Sequence, residues 1–190
     1  MLTSPEPEMP EVFPSDAVLI QQCLQGQTTA FRGLYQRYQG QVRATLYQLC
    51  GAEGVDDLVQ EVFLRVWQGL PRFRQSAQFS TWLYRITWNV ATDCRRAHGK
   101  ARSRRSPLPP PEISTEGAGL PQLHYEDLVQ RGIQALSLDH RAVLVLHDLE
   151  DVPQQEVARI LKIPVGTVKS RLHHARATMR QFLQKEGVQL

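Results

Sequence analysis

Residues 154–176 read Gln154-Gln155-Glu156-Val157-Ala158-Arg159-Ile160-Leu161-Lys162, then Ile163-Pro164-Val165-Gly166, then Thr167-Val168-Lys169-Ser170-Arg171-Leu172-His173-His174-Ala175-Arg176. Two helical patterns are interrupted over a few residues by a proline and a glycine, the arrangement a helix-turn-helix requires. At about 100° per residue, Val168, Leu172, Ala175, Met179 and Phe182 share one side of the second helix, and that side packs. Lys169, Ser170, His173, His174 and Arg180 lie opposite, with Arg171 and Arg176 flanking the apolar stripe. Cations and hydrogen-bonding groups displayed in one direction suit a major groove, where Arg and Lys donate to guanine and phosphate. Neighbouring His173 and His174 point about 100° apart on a helix, which disfavours a shared metal ion.

Upstream, Phe79-Ser80-Thr81-Trp82-Leu83-Tyr84-Arg85-Ile86-Thr87-Trp88-Asn89-Val90-Ala91-Thr92-Asp93-Cys94-Arg95-Arg96 has Leu83, Ile86, Thr87, Val90 and Cys94 on its inward side. Trp82, Arg85, Trp88, Asn89, Thr92 and Arg96 occupy much of the other. Aromatics beside arginines offer base-stacking surfaces with phosphate contacts, unless a tryptophan caps the core instead. Earlier still, Asp56-Asp57-Leu58-Val59-Gln60-Glu61-Val62-Phe63-Leu64-Arg65-Val66-Trp67-Gln68 turns Asp57, Gln60, Glu61, Leu64 and Gln68 outward, with Trp67 at the edge. An acidic face with an exposed leucine repels DNA and fits a protein partner with basic residues around an apolar spot.

The charges of the 190-residue chain segregate along these pieces. Between Arg72 and Arg105 the only acid is Asp93, and from Val157 to Lys185 there is none, whereas Glu126 to Glu156 is predominantly acidic. Basic blocks on foldable helices point to a polyanion, most simply nucleic acid. The apolar share of 42% and charged share of 22% are those of a globular chain. Apolar residues recur at three and four with no sustained alternation, so an all-α protein is expected, with helices near 16–25, 27–50, 55–69, 80–97, 124–135, 139–149, 154–162 and 165–185. The proline-rich 1–14 reads as a disordered tail, and 98–122, with Lys100, Arg102, Arg104 and Arg105 before its prolines, as a flexible basic linker. Two small helical domains, 15–97 and 123–190, are left.

Cys23, Cys50 and Cys94 are widely spaced in apolar segments and read as small buried hydrophobes, with neither a disulfide framework nor zinc-ligand spacing. No phosphate loop, nucleophile elbow or His-Glu-x-x-His occurs, which argues against an enzyme, and no cofactor or metal is expected. The N-terminus lacks the order of a signal peptide and no stretch approaches the roughly 18 apolar residues of a spanning helix, so a cytoplasmic location is expected.

Asp56 to Phe63, Phe79 to Ile86 and Val165 to Leu172, in that order, resemble the extracytoplasmic-function (ECF) class of bacterial sigma factors. The resemblance implies an alternative-type sigma factor, a non-catalytic RNA polymerase subunit that confers promoter specificity, built from a sigma-two and a sigma-four domain. It implies that Asp57, Gln60, Glu61 and Leu64 dock on the beta-prime coiled coil of core polymerase, which is also met through its beta subunit. It further implies that Trp82, Arg85, Trp88, Asn89 and Arg96, helped by Arg72 and Arg74 in the preceding loop, take the non-template strand of the minus-ten element. Thr167, Lys169, Ser170, Arg171, His173, His174 and Arg176 would read the minus-thirty-five element. An anti-sigma factor is a common partner in the class, and the linker would thread toward the polymerase active site. Ser137 and Pro153 stand where the class usually has proline and a serine or threonine cap, which leaves the starts of two helices open. The residues alone also fit a stand-alone helix-turn-helix regulator, a reading that leaves the acidic helix and the aromatic face unexplained.

Overall fold

The computed structural model describes residues 14–73, 78–104 and 121–189, with side chains for 14–73, 78–97 and 125–189. The tail up to residue 13, Arg74 and the linker segment 105–120 lie outside the described residues. Among those described, the fold is all helical. Eight α-helices run in order: α1 (Asp16–Leu24), α2 (Thr28–Cys50), α3 (Val55–Gly69), α4 (Phe79–Arg104), α5 (Pro121–Ala135), α6 (Leu138–Leu144), α7 (Gln154–Leu161) and α8 (Val165–Lys185). A 3-10 turn (Leu70–Arg72) follows α3, and a π-helical turn (Val145–Leu149) continues α6. None of the described helices is long and apolar enough to cross a membrane.

The first four helices enclose one apolar centre. Leu34, Leu46 and Leu49 of α2 meet Val59, Val62 and Val66 of α3 and Leu83 and Val90 of α4, all almost fully buried. α1 closes it with Leu19 and Ile20; Ser15 caps this helix by accepting from the Val18 amide, satisfying one of its orphan donors. Between α2 and α3 the chain turns through Gly51 (φ +95°) and Gly54 (φ +68°), conformations in which a Cβ is costly. α4 runs to Arg104, past the end near residue 97 that the sequence suggests, because Ala, Lys and Arg continue the helix and the first proline after it is Pro107.

The last four helices build a second apolar centre from Ile133, Val143, Val145, Leu146, Val157, Ile160, Val168 and Leu172. Ser137 caps α6, its hydroxyl accepting from the His140 amide, so the serine that replaces an expected proline starts the helix in another way. Pro153 caps α7 through its carbonyl, which accepts from Glu156 and Val157. The helix expected over 139–149 widens at its C-terminal half, where the Glu150 amide donates to the Val145 carbonyl at 3.0 Å, five residues back. The turn between α7 and α8 is made by Lys162, which takes the left-handed conformation (φ +56°), and by Pro164, the N-cap of α8. Gly166, read from the sequence as part of the break, lies inside the first turn of α8.

The two sets of helices meet along α4 and α7, and at the C-terminal end of α2, which packs on α5, α6 and the π turn. At the centre of this joint lies Arg141, 1% exposed. Its Nη1 donates to the Leu49 carbonyl (2.7 Å) and Gln134 Oε1 (2.5 Å), and its Nη2 to the carbonyls of Gln134 (2.6 Å) and Leu136 (3.0 Å). No carboxylate is among these partners. The cation instead caps the C-terminal carbonyls of α2 and α5, where the helix dipoles are negative. Burial, followed by the nearby Arg95 charge, lowers its pKa to about 10, which still leaves it protonated at neutral pH.

Candidate nucleic-acid and partner interfaces

On α3, Asp57 and Gln60 are exposed, Leu64 is 51% exposed and Glu61 is partly so, a single outward face. Glu61 is tied at 2.7 Å to Arg65, which also reaches Asp93 of α4 at 2.9 Å. Those two hydrogen bonds, that to Asp93 the larger, raise the Arg65 pKa. Asp56, at the start of the same helix, pairs with Arg43. Trp67 extends the face at 41% exposed while its ring sits edge-on to Phe31, centroids 4.9 Å apart. Acid and apolar surface thus alternate over about three helical turns.

The α4 face is more divided than its sequence suggests. Asn89, Arg96 and the preceding Arg72 are exposed, yet neither Trp82 nor Trp88 stands clear of the core. Trp82 packs 4.9 Å from Phe73 and 5.8 Å from Phe79, and a Cβ on Gly69 would meet its ring at 2.9 Å. Both indoles remain partly accessible, so each caps the apolar centre with one surface and offers another. Arg85 is drawn sideways: its Nη2 donates to the Arg159 carbonyl of α7 at 2.6 Å and its Nε is buried without a hydrogen-bond partner. One turn before it, Thr81 donates to Glu156 at 3.1 Å. α7 therefore covers part of the face that α4 would present to a strand.

The polar face of α8 is the most complete. Lys169, Ser170, His173, His174 and Arg180 are exposed on one side, and Thr167 is partly exposed with its carbonyl accepting from the Ser170 hydroxyl. Val168, Leu172 and Ala175 are buried on the other. Arg171 and Arg176 are poised at the edges by acids from the preceding elements. Arg171 donates to Asp139 at 2.6 Å, and Arg176 grips Asp148 through both Nε (2.8 Å) and Nη2 (2.6 Å), which raises its pKa. Sequence reasoning missed Asp139 and Asp148, which lie inside an acidic run, because only the packing of α6 on α8 and the reach of Asp148 from the π turn to Arg176 bring them to the basic edge.

Glu150 was missed for the same reason. Directly after the π turn, its Oε1 accepts from Thr45 of α2 (3.0 Å) and its Oε2 from the Tyr84 hydroxyl of α4 (2.8 Å), which in turn accepts from Gln41 (2.6 Å). Burial, then the Glu150 charge, holds the Tyr84 hydroxyl far above its ordinary value. A nearby bolt completes the turn: His147 donates from Nδ1 to the Val152 carbonyl (2.9 Å) and accepts at Nε2 from Gln154 (3.3 Å).

Residues 34–101 match the family described as Sigma-70 region 2, and residues 126–179 match Sigma-70, region 4. The ECF RNA polymerase sigma-E factor of Escherichia coli (strain K12) is 32% identical over 181 residues, 90% of this chain and 95% of the relative. The protein of that name from Haemophilus influenzae is 29% identical over 181 residues, 90% of this chain and 96% of the relative. Among solved structures, CnrH in complex with the cytosolic domain of CnrY superposes with a TM-score of 0.69 at 26% identity, covering 90% of this chain and 97% of that one. The sigma factor RpoE in complex with the anti-sigma factor NepR from Bartonella quintana has a similar fold, with a TM-score of 0.68 at 22% identity over 81% of this chain and 96% of that one.

Proposed function

The chain belongs to the ECF class of sigma-70 RNA polymerase sigma factors and is an alternative sigma factor directing transcription initiation; from that premise we propose how its surfaces divide the work. Region 2, within 15–97, docks on core polymerase through Asp57, Gln60, Glu61 and Leu64. Its α4 takes the separated strand of the minus-ten element through Trp82, Arg85, Trp88, Asn89 and Arg96, helped by Arg72 and Arg74. Region 4, within 123–190, reads the minus-thirty-five duplex through Thr167, Lys169, Ser170, Arg171, His173, His174 and Arg176. Sigma factors are regulators and not catalysts, so the chain's contribution to initiation is binding and orientation.

The separation of charge by face carries this reading. α3 offers acid and leucine where a basic, partly apolar protein surface would seat, and α8 offers an acid-free exposed side where phosphates would collect. Neither element need bind strongly alone, because tethering raises the effective concentration of the second contact once the first has formed. In the conformation described, Arg85 and Thr81 are engaged by α7, so full use of the α4 face requires α4 and α7 to part. We place an anti-sigma factor among the partners, since RpoE of similar fold was solved with one, and we place the site of action in the cytoplasm with the polymerase and the chromosome.

The test is promoter-dependent initiation with purified core enzyme and full-length chain. Lys169→Ala and Arg171→Ala are expected to lower initiation while leaving polymerase capture intact, and Asp57→Arg to abolish capture while leaving the chain folded. Wild-type behaviour of all three variants refutes the assignment. A chain that binds duplex DNA but never co-elutes with core polymerase would be a stand-alone regulator instead.

A further inference from the structure

In the sequence the whole of α3 separates Cys50 from Cys94, but the fold brings them near each other. Cys50 ends α2, and its Sγ lies 4.0 Å from the Ala91 carbonyl oxygen of α4. In an α-helix a carbonyl sits beside the side chain three positions on, which here is Cys94. Both residues are partly exposed, unlike Cys23, which is buried as the sequence suggests. We propose that Cys50 and Cys94 form an oxidisable thiol pair that closes to a disulfide, tying the C-terminal end of α2 to α4.

The roles of the two sulfurs follow from their surroundings. Burial foremost, and then the charge and hydrogen bond of Cys94, push the Cys50 thiol up to about 12, while Arg95 and Arg141 oppose the rise. Cys50 therefore keeps its proton and donates it toward Cys94. The Cys94 sulfur, on the α4 surface beside Arg95, is the one that meets oxidant first. With a peroxide as oxidant, the Cys94 thiolate attacks one peroxide oxygen, the O–O bond breaks, and a sulfenic acid and one water result. The Cys50 sulfur then attacks Cys94 Sγ, the S–O bond breaks, and the Cys50 proton leaves with the hydroxide as a second water. Two thiols are oxidised by two electrons, and one hydrogen peroxide is reduced to two waters. In a reducing cell such a bond is expected to be transient and regulatory, not structural.

The bond would form where two functional regions adjoin. Cys50 follows Leu49, whose carbonyl accepts from Arg141, and Cys94 precedes Arg95 and Arg96 on the proposed minus-ten helix. Oxidation would fix α4 against α2 at that point and close a loop of more than forty residues, which restricts the unfolded chain.

The experiment treats the full-length chain, folded and at low concentration, with stoichiometric hydrogen peroxide, followed by alkylation and intact and peptide mass analysis. The expected product is a monomer lighter by two hydrogens with Cys23 alone alkylated and a Cys50–Cys94 linked peptide, reversed by dithiothreitol, with a raised thermal midpoint before reversal. Cys23→Ser should give the same linked peptide, and Cys50→Ser and Cys94→Ser should not. Retention of all three alkylatable thiols, pairing through Cys23, or accumulation of Cys94 sulfinic acid beside reduced Cys50 would each overturn the proposal. None of these outcomes depends on promoter or polymerase binding, so they leave the sigma-factor reading where it stands.

Discussion

Replacing Arg141 by methionine preserves most of its volume and removes the cation that holds the ends of α2 and α5 together. Four hydrogen bonds are lost, to the carbonyls of Leu49, Gln134 and Leu136 and to the Gln134 side chain. At about 1.5–2 kcal/mol for each bond from a charged donor, the gross loss is about 6–8 kcal/mol. Against this stands relief from burying the charge: lowering of the guanidinium pKa from 12.5 to about 10 corresponds to about 3 kcal/mol. The net loss is about 3–5 kcal/mol, which for a chain of this length lowers the thermal midpoint by about 10 °C. Calorimetry and urea unfolding at pH 7 measure it, with Arg141→Lys as a companion expected to fall between, because one ammonium cannot span both helix ends. A midpoint within 2 °C of the parent for the methionine variant would show that the carbonyls find other partners and that the joint does not rest on this residue.

Three other outcomes are expected. The Tyr84 hydroxyl is held above its ordinary value by burial and Glu150, so the folded chain keeps a proton that the unfolded chain loses near pH 10; its contribution to stability is complete below that pH and is lost as pH rises further. Tyr84→Phe should therefore flatten the alkaline fall of the unfolding free energy, measured by urea titration, by up to about 1.4 kcal/mol per pH unit, and an unchanged slope would count against the assignment. Asp148→Asn releases Arg176 from its bidentate partner; promoter-duplex binding measured by anisotropy should tighten several-fold and its salt dependence steepen by about one counterion. Gly69→Ala puts a methyl 2.9 Å from the Trp82 ring, at a cost of about 1–3 kcal/mol or a displaced indole, and minus-ten strand binding should weaken while duplex minus-thirty-five binding is unchanged.

What could be read from the chain was whatever repeats within one helix. The stripes Val168-Leu172-Ala175 and Val59-Val62-Val66 are legible at helical spacing, and both are buried. Helix starts were less so, because Ser137 and Pro153 cap in ways that depend on backbone angles. The helix-turn-helix is legible in its Pro-Val-Gly break, yet Gly166 lies in α8 and Lys162 carries the left-handed turn. The α4 face shows the limit clearly: a wheel divides Trp82 and Arg85 from the buried side, but only tertiary packing decides that Phe73 shelters the indole and that Arg159 takes the guanidinium. Arg141 and Glu150 gave no signal of joining the two halves, since the partners they hold across the joint, Leu49 for Arg141 and Thr45 and Tyr84 for Glu150, lie 92, 105 and 66 residues away.

The widened turn at Val145–Leu149 sets a constraint on what this lineage can lose. An α-helix with one residue inserted becomes a π turn, so excising a single codon there would restore regular winding at little local cost. Everything after it, however, would swing by about 100° relative to α6. Glu150 would then miss Thr45 and Tyr84. Length drift in this segment should be tolerated by the helix yet penalised by the joint, and a homologue one residue shorter here would need a different fastener between its halves.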